Sequence, residues 1–116
     1  MDDSQARLRE AIIDAINGRR RLQITYKGGD RLVEPYLLYE TQAGNHILHG
    51  WQIGGAWEKS PPPDWCNLSL KYISLATPLP DCFDEPHPEY NPDSKQFHRV
   101  IVATPKGTQA TYHCSL

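Results

Sequence analysis

Between Arg31 and Trp51 the chain reads RLVEPYLLYETQAGNHILHGW, two extended runs rich in Val, Ile, Leu and Tyr on either side of Gln42-Ala43-Gly44-Asn45. Gly44 and Asn45 tolerate positive φ, so the stretch is expected to be a β-hairpin around which the rest of the chain is arranged. In its first strand Arg31, Val33 and Pro35 share one face and Leu32, Glu34 and Tyr36 the other. Pro35 denies the ladder a hydrogen bond, which implies a bend or a sheet edge. In its second strand, His46 to Gln52 or Ile53, alternation puts Leu48, Gly50 and Gln52 on the face of His46, and Ile47, His49 and Trp51 on the other.

Shorter elements flank the hairpin. Leu8, Ile12, Ala15 and Ile16 recur at helical spacing, predicting an amphipathic helix over residues 4–17, with Asp2 and Asp3 at its positive end and Gly18 where a left-handed terminal residue is wanted. Arg19-Arg20-Arg21 follows; it either complements the helix end on a solvated surface or contacts phosphate. Leu22 to Tyr26 alternates as a half-buried strand, and Gly28-Gly29 has the composition of a two-residue turn into the hairpin. After Gly54-Gly55 comes a loop with Trp57, Trp65 and the Pro61 to Pro63 run, expected to be locally polyproline-like. That run is either a stiffened surface loop or a partner-binding segment.

Asn67 to Leu75 resumes the alternation, with a phase shift that predicts a bulge or bend near Lys71-Tyr72. The segment PLPDCFDEPHPEYNPDS is acidic and proline-rich and is expected to wrap as a loop, with a helical turn at most from Asn91-Pro92. Val100 to Ala103 is expected to close the sheet, and residues 104–116 to form a tail or an edge strand.

With 116 residues the chain is one domain, a helix over 4–17 and a barrel over 22–103. No run approaches the roughly 20 apolar residues of a membrane span, and MDDSQARLRE is not a signal peptide, so a cytoplasmic protein with no membrane partner is expected. Cys66, Cys82 and Cys114 form no CxxC pair and leave an odd one over, which suits a reducing compartment and unpaired thiols. A formal net charge of −2 argues against a surface that grips nucleic acid all round. The charge is uneven, however: residues 1–31 hold seven Lys/Arg against five Asp/Glu, and residues 80–94 hold five acids and no Lys or Arg. A local basic patch therefore stays open.

One helix and then four or five short strands joined by tight turns point to a mainly β (α+β) fold, a small SH3-like or Sm-like barrel of about five antiparallel strands. The order of a helix, Arg19-Arg20-Arg21-Leu22-x-Ile24-x-Tyr26, a turn, Arg31-x-Val33-x-Pro35, a turn and a strand is similar to the WYL domain, a bacterial sensor module. The resemblance covers roughly residues 8–103 and extends to Leu68-x-Leu70 and Ile73. It implies a pocket or groove that senses an anionic ligand such as a nucleotide or single-stranded nucleic acid and controls an attached effector. This chain departs from the family's pattern in two places. The Trp-Tyr-Leu that names the family falls on His46, Ile47 and Leu48, and the family's downstream Arg-x-Phe-Arg-Leu-Asp-Arg-Ile falls on Cys66 to Ile73 with all three arginines replaced.

What remains for ligand binding is a mixed aromatic and basic face. Ile47, His49 and Trp51 would project beside Ser69 and Lys71, with Tyr26 and Arg31 nearby if the register is the family's. Stacked aromatic rings hold bases at about 1–3 kcal/mol each, and Lys or Arg adds a salt-sensitive phosphate contribution. The candidate ligand or nucleic-acid residues are thus Tyr26, Arg31, His49, Trp51, Ser69 and Lys71, with Arg19, Arg20 and Arg21 for phosphate. Alternatively, Trp51 and Ile47 pack beneath the helix or the acidic loop.

Other chemistry is poorly provided for. His46-x-x-His49 sends its rings to opposite faces of a strand, so no metal is expected. Asn67-Leu68-Ser69 matches a glycosylation acceptor by chance. No phosphate-binding glycine loop and no nucleophile paired with a base is recognisable, so neither an enzyme nor a cofactor is expected. Two functions remain. One is a stand-alone WYL-like sensor of a nucleotide or short single strand, acting through a partner regulator or effector in transcription or defence. The other is a protein-interaction or homo-oligomerisation module with no ligand.

Overall fold

The computed structural model describes residues 3–107. Helix α1 (Asp3–Gly18) is followed by β1 (Arg20–Tyr26), β2 (Gly29–Glu40), β3 (His46–Gly55), β4 (Asp64–Ser69), a 3-10 turn (Leu70–Tyr72), β5 (Ile73–Cys82) and β6 (Arg99–Ala103). The strands form an antiparallel sheet in the order β4-β3-β2-β1-β5, and β6 pairs with the second half of β2. The fold is therefore mainly β with one N-terminal helix, as expected. The sheet is open: β4 and β5 are its two ends, and β6 extends β2 beyond β1 instead of closing a barrel.

Local chemistry explains where the elements begin and end. Helix α1 buries Ile12, Ala15 and Ile16, the expected stripe, against the sheet. The left-handed residue that ends it is Arg19 (φ 52°) rather than Gly18. Such a conformation costs a residue with a Cβ about 1–2 kcal/mol; here the Arg19 side chain offsets that with three hydrogen bonds. The β1–β2 turn lies at Lys27-Gly28 (φ 49° and 83°), one residue before the expected pair, and Gly29 is instead a strand residue facing Tyr26. Gly29 is needed there because a Cβ would meet that of Ala56 at 2.8 Å. The hairpin turn forms as read, with Gly44 at φ 87° and its N–H donating to Thr41 O at 2.9 Å.

The bend implied by Pro35 is a bulge. Pro35 faces Gly50 and Leu37 faces His49, which leaves Tyr36 as the extra residue. Because of it, Tyr36 and Leu37 both enter one apolar cluster and Leu38 enters another. These two clusters lie on the two faces of the sheet. The inner one joins α1 to Leu22, Ile24, Tyr26, Val33, Leu48, Leu68, Leu70 and Ile73. The outer one is aromatic: Tyr36, Phe83, Tyr90 and Phe97 with Tyr39, Trp51 and Trp65.

Three other expectations are corrected. The single strand over Asn67 to Leu75 is two strands, β4 and β5, separated by the 3-10 turn at the predicted bend. β5 continues through Pro78 and Pro80, where the composition predicts a loop; it is an end strand, so the missing N–H groups weaken no inner ladder. Asn91-Pro92 starts no helix, since Asn91 Oδ1 accepts the Asp93 N–H at 3.1 Å in a turn.

The acidic segment does wrap as a loop, anchored by Phe83, Tyr90 and Phe97. The Pro62–Pro63 peptide is cis, which departs from the polyproline-like conformation expected of that run. Cys66 is a free, buried thiol, but Cys82 is disulfide-bonded, contrary to three unpaired cysteines. Of the expected tail, Thr104 is buried and its N–H donates to Tyr36 O at 2.8 Å; residues 108–116 lie outside the described residues. Among the described residues no helix is long and apolar enough to cross a membrane.

Candidate functional site

The residues expected to share one binding face divide between the two faces of the sheet. Tyr26 and Arg31 lie on the inner side, where they border a cleft of about 420 Å³. His49, Trp51 and Ser69 belong to the outer side, since Ile47 faces Ser69, His49 faces Asn67 and Trp51 faces Trp65. Lys71 is exposed on the 3-10 turn, its Nζ 5.1 Å from the centre of the Tyr72 ring.

The outer face is covered rather than open. His49 is buried, stacked on Trp65 with ring centres 5.1 Å apart and planes 10° apart, and its Nδ1 donates to Asn67 Oδ1 at 3.0 Å. Burial is the larger influence and pulls its pKa below the ordinary histidine value; the bond to Asn67 opposes it. Trp51 packs against Trp65 at 5.1 Å and against His87 of the acidic loop at 4.3 Å. The alternative in which Trp51 packs beneath that loop is the arrangement found. Burial, followed by the hydrogen bond to Glu34, raises the Tyr36 phenol far above its ordinary pKa, so it remains a neutral donor to Glu34 Oε1 at 2.7 Å. These rings form a packed core with no platform on which an extended single strand could stack.

The arginine triplet is engaged within the fold, Arg19 buried and Arg20 and Arg21 partly exposed. Arg19 is fully buried, with Nε on Thr104 Oγ1 at 2.8 Å, Nη2 on Pro105 O at 2.7 Å and Nη1 on Asp84 O. Arg20 Nε donates to Leu79 O at 3.1 Å, and Arg21 Nη2 to Glu34 Oε2 at 3.1 Å. All three reach carbonyls or a carboxylate of the fold because the chain reverses at Arg19 and carries them between α1, β2 and β5.

The cleft is where cations and rings remain accessible. Its floor is Arg31 with Gln52, Cys66 and Leu68, and its walls are Tyr26 and Lys27 of the β1–β2 turn and Trp57 to Ser60 of the loop after β3. Arg31 stacks on Tyr26, its guanidinium carbon 4.9 Å from the ring centre. Its Nη1 donates to Gln52 Oε1 at 3.4 Å and its Nη2 to Glu58 Oε1 at 3.4 Å, while the buried Nε has no hydrogen-bond partner. Asp64 closes one end; a hydrogen bond from the Ser60 hydroxyl, then one from the Trp65 N–H, holds its carboxyl below the usual range. Burial pushes the Cys66 thiol up to about 12, only partly countered by Arg31, so at neutral pH it is a protonated, poorly nucleophilic group.

The arrangement can present a guanidinium edge, a second cation and an exposed indole to one compact ligand. Compared with protein-family models, curated proteins and solved structures, the chain matches none. Among the described residues no three His, Cys, Asp or Glu side chains are grouped to hold a metal. His46 and His49 have separate partners, Glu40 Oε1 at 3.3 Å and Asn67.

Lys27, Gln52, Trp57 and Glu58 are site residues that the sequence reading does not single out. A signal for the last two is present: an aromatic beside charges, Trp57-Glu58-Lys59, framed by Gly54-Gly55 and three prolines, is the composition of a rim loop. Alternation puts Gln52 on the face of Leu48 and Gly50, the inner side, but its meeting with Arg31 depends on the register of β2 against β3, which no local pattern supplies.

Proposed function

We propose that this chain is a WYL-like ligand-sensing module, an SH3- or Sm-like frame whose cleft at Arg31 takes one nucleotide-sized anionic ligand and reports its binding to a separate regulator or effector. The nearly buried Arg31 side chain, which lines a cleft rimmed by Trp57 and whose one ion pair among the described residues is with Glu58 at 3.4 Å, is the observation that carries this reading. A cation taken out of water gains most from a well-aligned anion, and an exposed ring beside it suits a nucleobase. The covered outer face turns the reading away from long single strands and toward a mononucleotide or a strand's terminal nucleotide. The output in this reading is bacterial transcriptional or defence regulation through the partner.

Titration of tryptophan fluorescence at low salt with mononucleotides and with short single-stranded DNA and RNA tests it. The expected result is saturable binding of mononucleotides that weakens with salt and falls at least about tenfold in Arg31→Gln. Saturable binding that ignores both salt and Arg31→Gln would refute it, as would no binding at all.

A protein-interaction reading rests on a different place. β5 ends the sheet, and beside it Tyr72 and Leu75 are 46% and 58% exposed. An end strand with exposed apolar side chains is a template for pairing. Sedimentation of the wild type and of Leu75→Lys separates the readings: a concentration-dependent dimer lost in Leu75→Lys favours an assembly module.

A further inference from the structure

We propose that Glu58 is an internal competitor for the ligand's anionic group: its carboxylate stands on Arg31 where a phosphate monoester would bind, and a nucleoside monophosphate enters by displacing it. The inference rests on the ligand-binding reading above and adds the identity of the anion subsite and what guards it.

Three observations carry it. The Arg31 side chain is only 10% exposed, yet its one ion pair among the described residues is with Glu58, at 3.4 Å, and its Nε has no partner. A charge-assisted N–H···O bond is ordinarily about 2.7–2.9 Å long, so this pairing leaves much of the cation's capacity unused. Glu58 itself is 55% exposed, on the irregular stretch between β3 and β4, and also reaches Lys27 Nζ at 3.9 Å. One loosely held carboxylate therefore lies between two cations, one of them buried. A phosphate monoester has more oxygens and more charge, so it can engage the Arg31 Nη2 and the Lys27 Nζ together where the carboxylate holds each only loosely. Trp57, next to Glu58 in sequence and 53% exposed at the same rim, provides a ring for the base.

Removing the competitor's charge should tighten binding. Partly exposed ion pairs contribute a few tenths to 1 kcal/mol, so Glu58→Gln is expected to bind adenosine monophosphate roughly two- to fivefold more tightly at low salt, with the gain shrinking as salt rises. Inorganic phosphate should show the same ratio at lower affinity, and adenosine, lacking the anion, no ratio at all. Calorimetry of the wild type, Glu58→Gln and Glu89→Gln, the same charge change at an exposed position outside the cleft, reads these ratios. Equal or weaker affinity in Glu58→Gln, or tightening for adenosine too, overturns the competitor and leaves the ligand-binding reading standing. Binding seen only in Glu58→Gln supports both. No phosphate-dependent binding in any of the proteins overturns both.

Discussion

Arg19 Nε donates to Thr104 Oγ1 at 2.8 Å across 85 positions of the chain, so the residue that ends the helix also holds the segment that leaves the last strand. The same guanidinium reaches the carbonyls of Asp84 and Pro105, and the Arg19 carbonyl accepts the Phe83 N–H at 3.0 Å. One side chain thus joins α1, the start of the acidic loop and the chain after β6.

Arg19→Met is expected to be among the most destabilising single changes, because it keeps the stem's packing but strands buried acceptors. Hydrogen bonds to a charged group contribute about 1.5–3 kcal/mol each, with some loss recovered by water, so a cost of about 3 kcal/mol or more follows. Thr104→Val removes one of these bonds and should cost about 1–2 kcal/mol. Because the pair shares a bond, Arg19→Met with Thr104→Val should cost less than the sum. Urea midpoints of the four proteins check this; strict additivity would mean that the bond contributes nothing.

Tyr36 is the hinge of the outer cluster. Its hydroxyl donates to Glu34 Oε1 at 2.7 Å and accepts the His87 N–H at 2.9 Å, tying the bulge of β2 to the acidic loop. Tyr36→Phe preserves the ring against Phe83 and Tyr90 and removes both bonds. A loss of about 1–3 kcal/mol is expected, and faster hydrogen exchange at the His87 amide should accompany it. Unchanged exchange there would show that the loop is held by its aromatic anchors alone.

Gly50 makes the bulge sterically feasible. A Cβ there would lie 2.3 Å from Glu34 O and 3.2 Å from a Val33 methyl, and the first of these is backbone that cannot swing away. Gly50→Ala should therefore push β3 from β2 at the point where Pro35 faces it, costing about 1–3 kcal/mol or more. Loss of thermal stability with an unchanged far-ultraviolet spectrum is the expected outcome. A neutral substitution would show that the strands can separate there without penalty.

These relationships explain what could be read from the chain and what could not. Helix α1, β1 and the Arg31–Trp51 hairpin follow from periodicities of 3.6 and 2 and from the Gly44 turn, all local properties of the sequence. Tyr36 shows where local reading stops. Alternation puts it on the face of Glu34, where it is found, but the bulge brings Leu37 onto the same side, and no pattern within β2 reveals the extra residue. Everything beyond the bulge depends on that change of phase, including which rings meet the acidic loop. Pro78 and Pro80 likewise read as loop because a strand's tolerance of proline depends on its position in the sheet, which only the topology supplies. The arginine triplet reads as a surface feature because its charge is visible locally, whereas its acceptors, Thr104, Leu79 and Glu34, lie farther along the chain.

His49 provides a pH signature. Burial lowers its folded-state pKa, whereas in the unfolded chain it titrates near 6.5. As pH falls below about 6.5 the unfolded chain takes up a proton that the folded state refuses, so stability drops. The loss ends once pH passes the lower folded pKa, below which both states are protonated. His49→Phe leaves a ring among Trp65, Tyr90 and Phe97 but has no proton to bind. At pH 7.5 the variant should be the less stable protein, because it loses the bond to Asn67 and leaves that amide unpaired. The stability difference between the two should then narrow steadily on going to pH 5, because only the wild type bears the protonation penalty at this site. Every other residue is the same in the two proteins and cancels in the difference. Urea unfolding at four or five pH values measures it, and a difference that stays flat across the range would mean that His49 is not held neutral by the cluster.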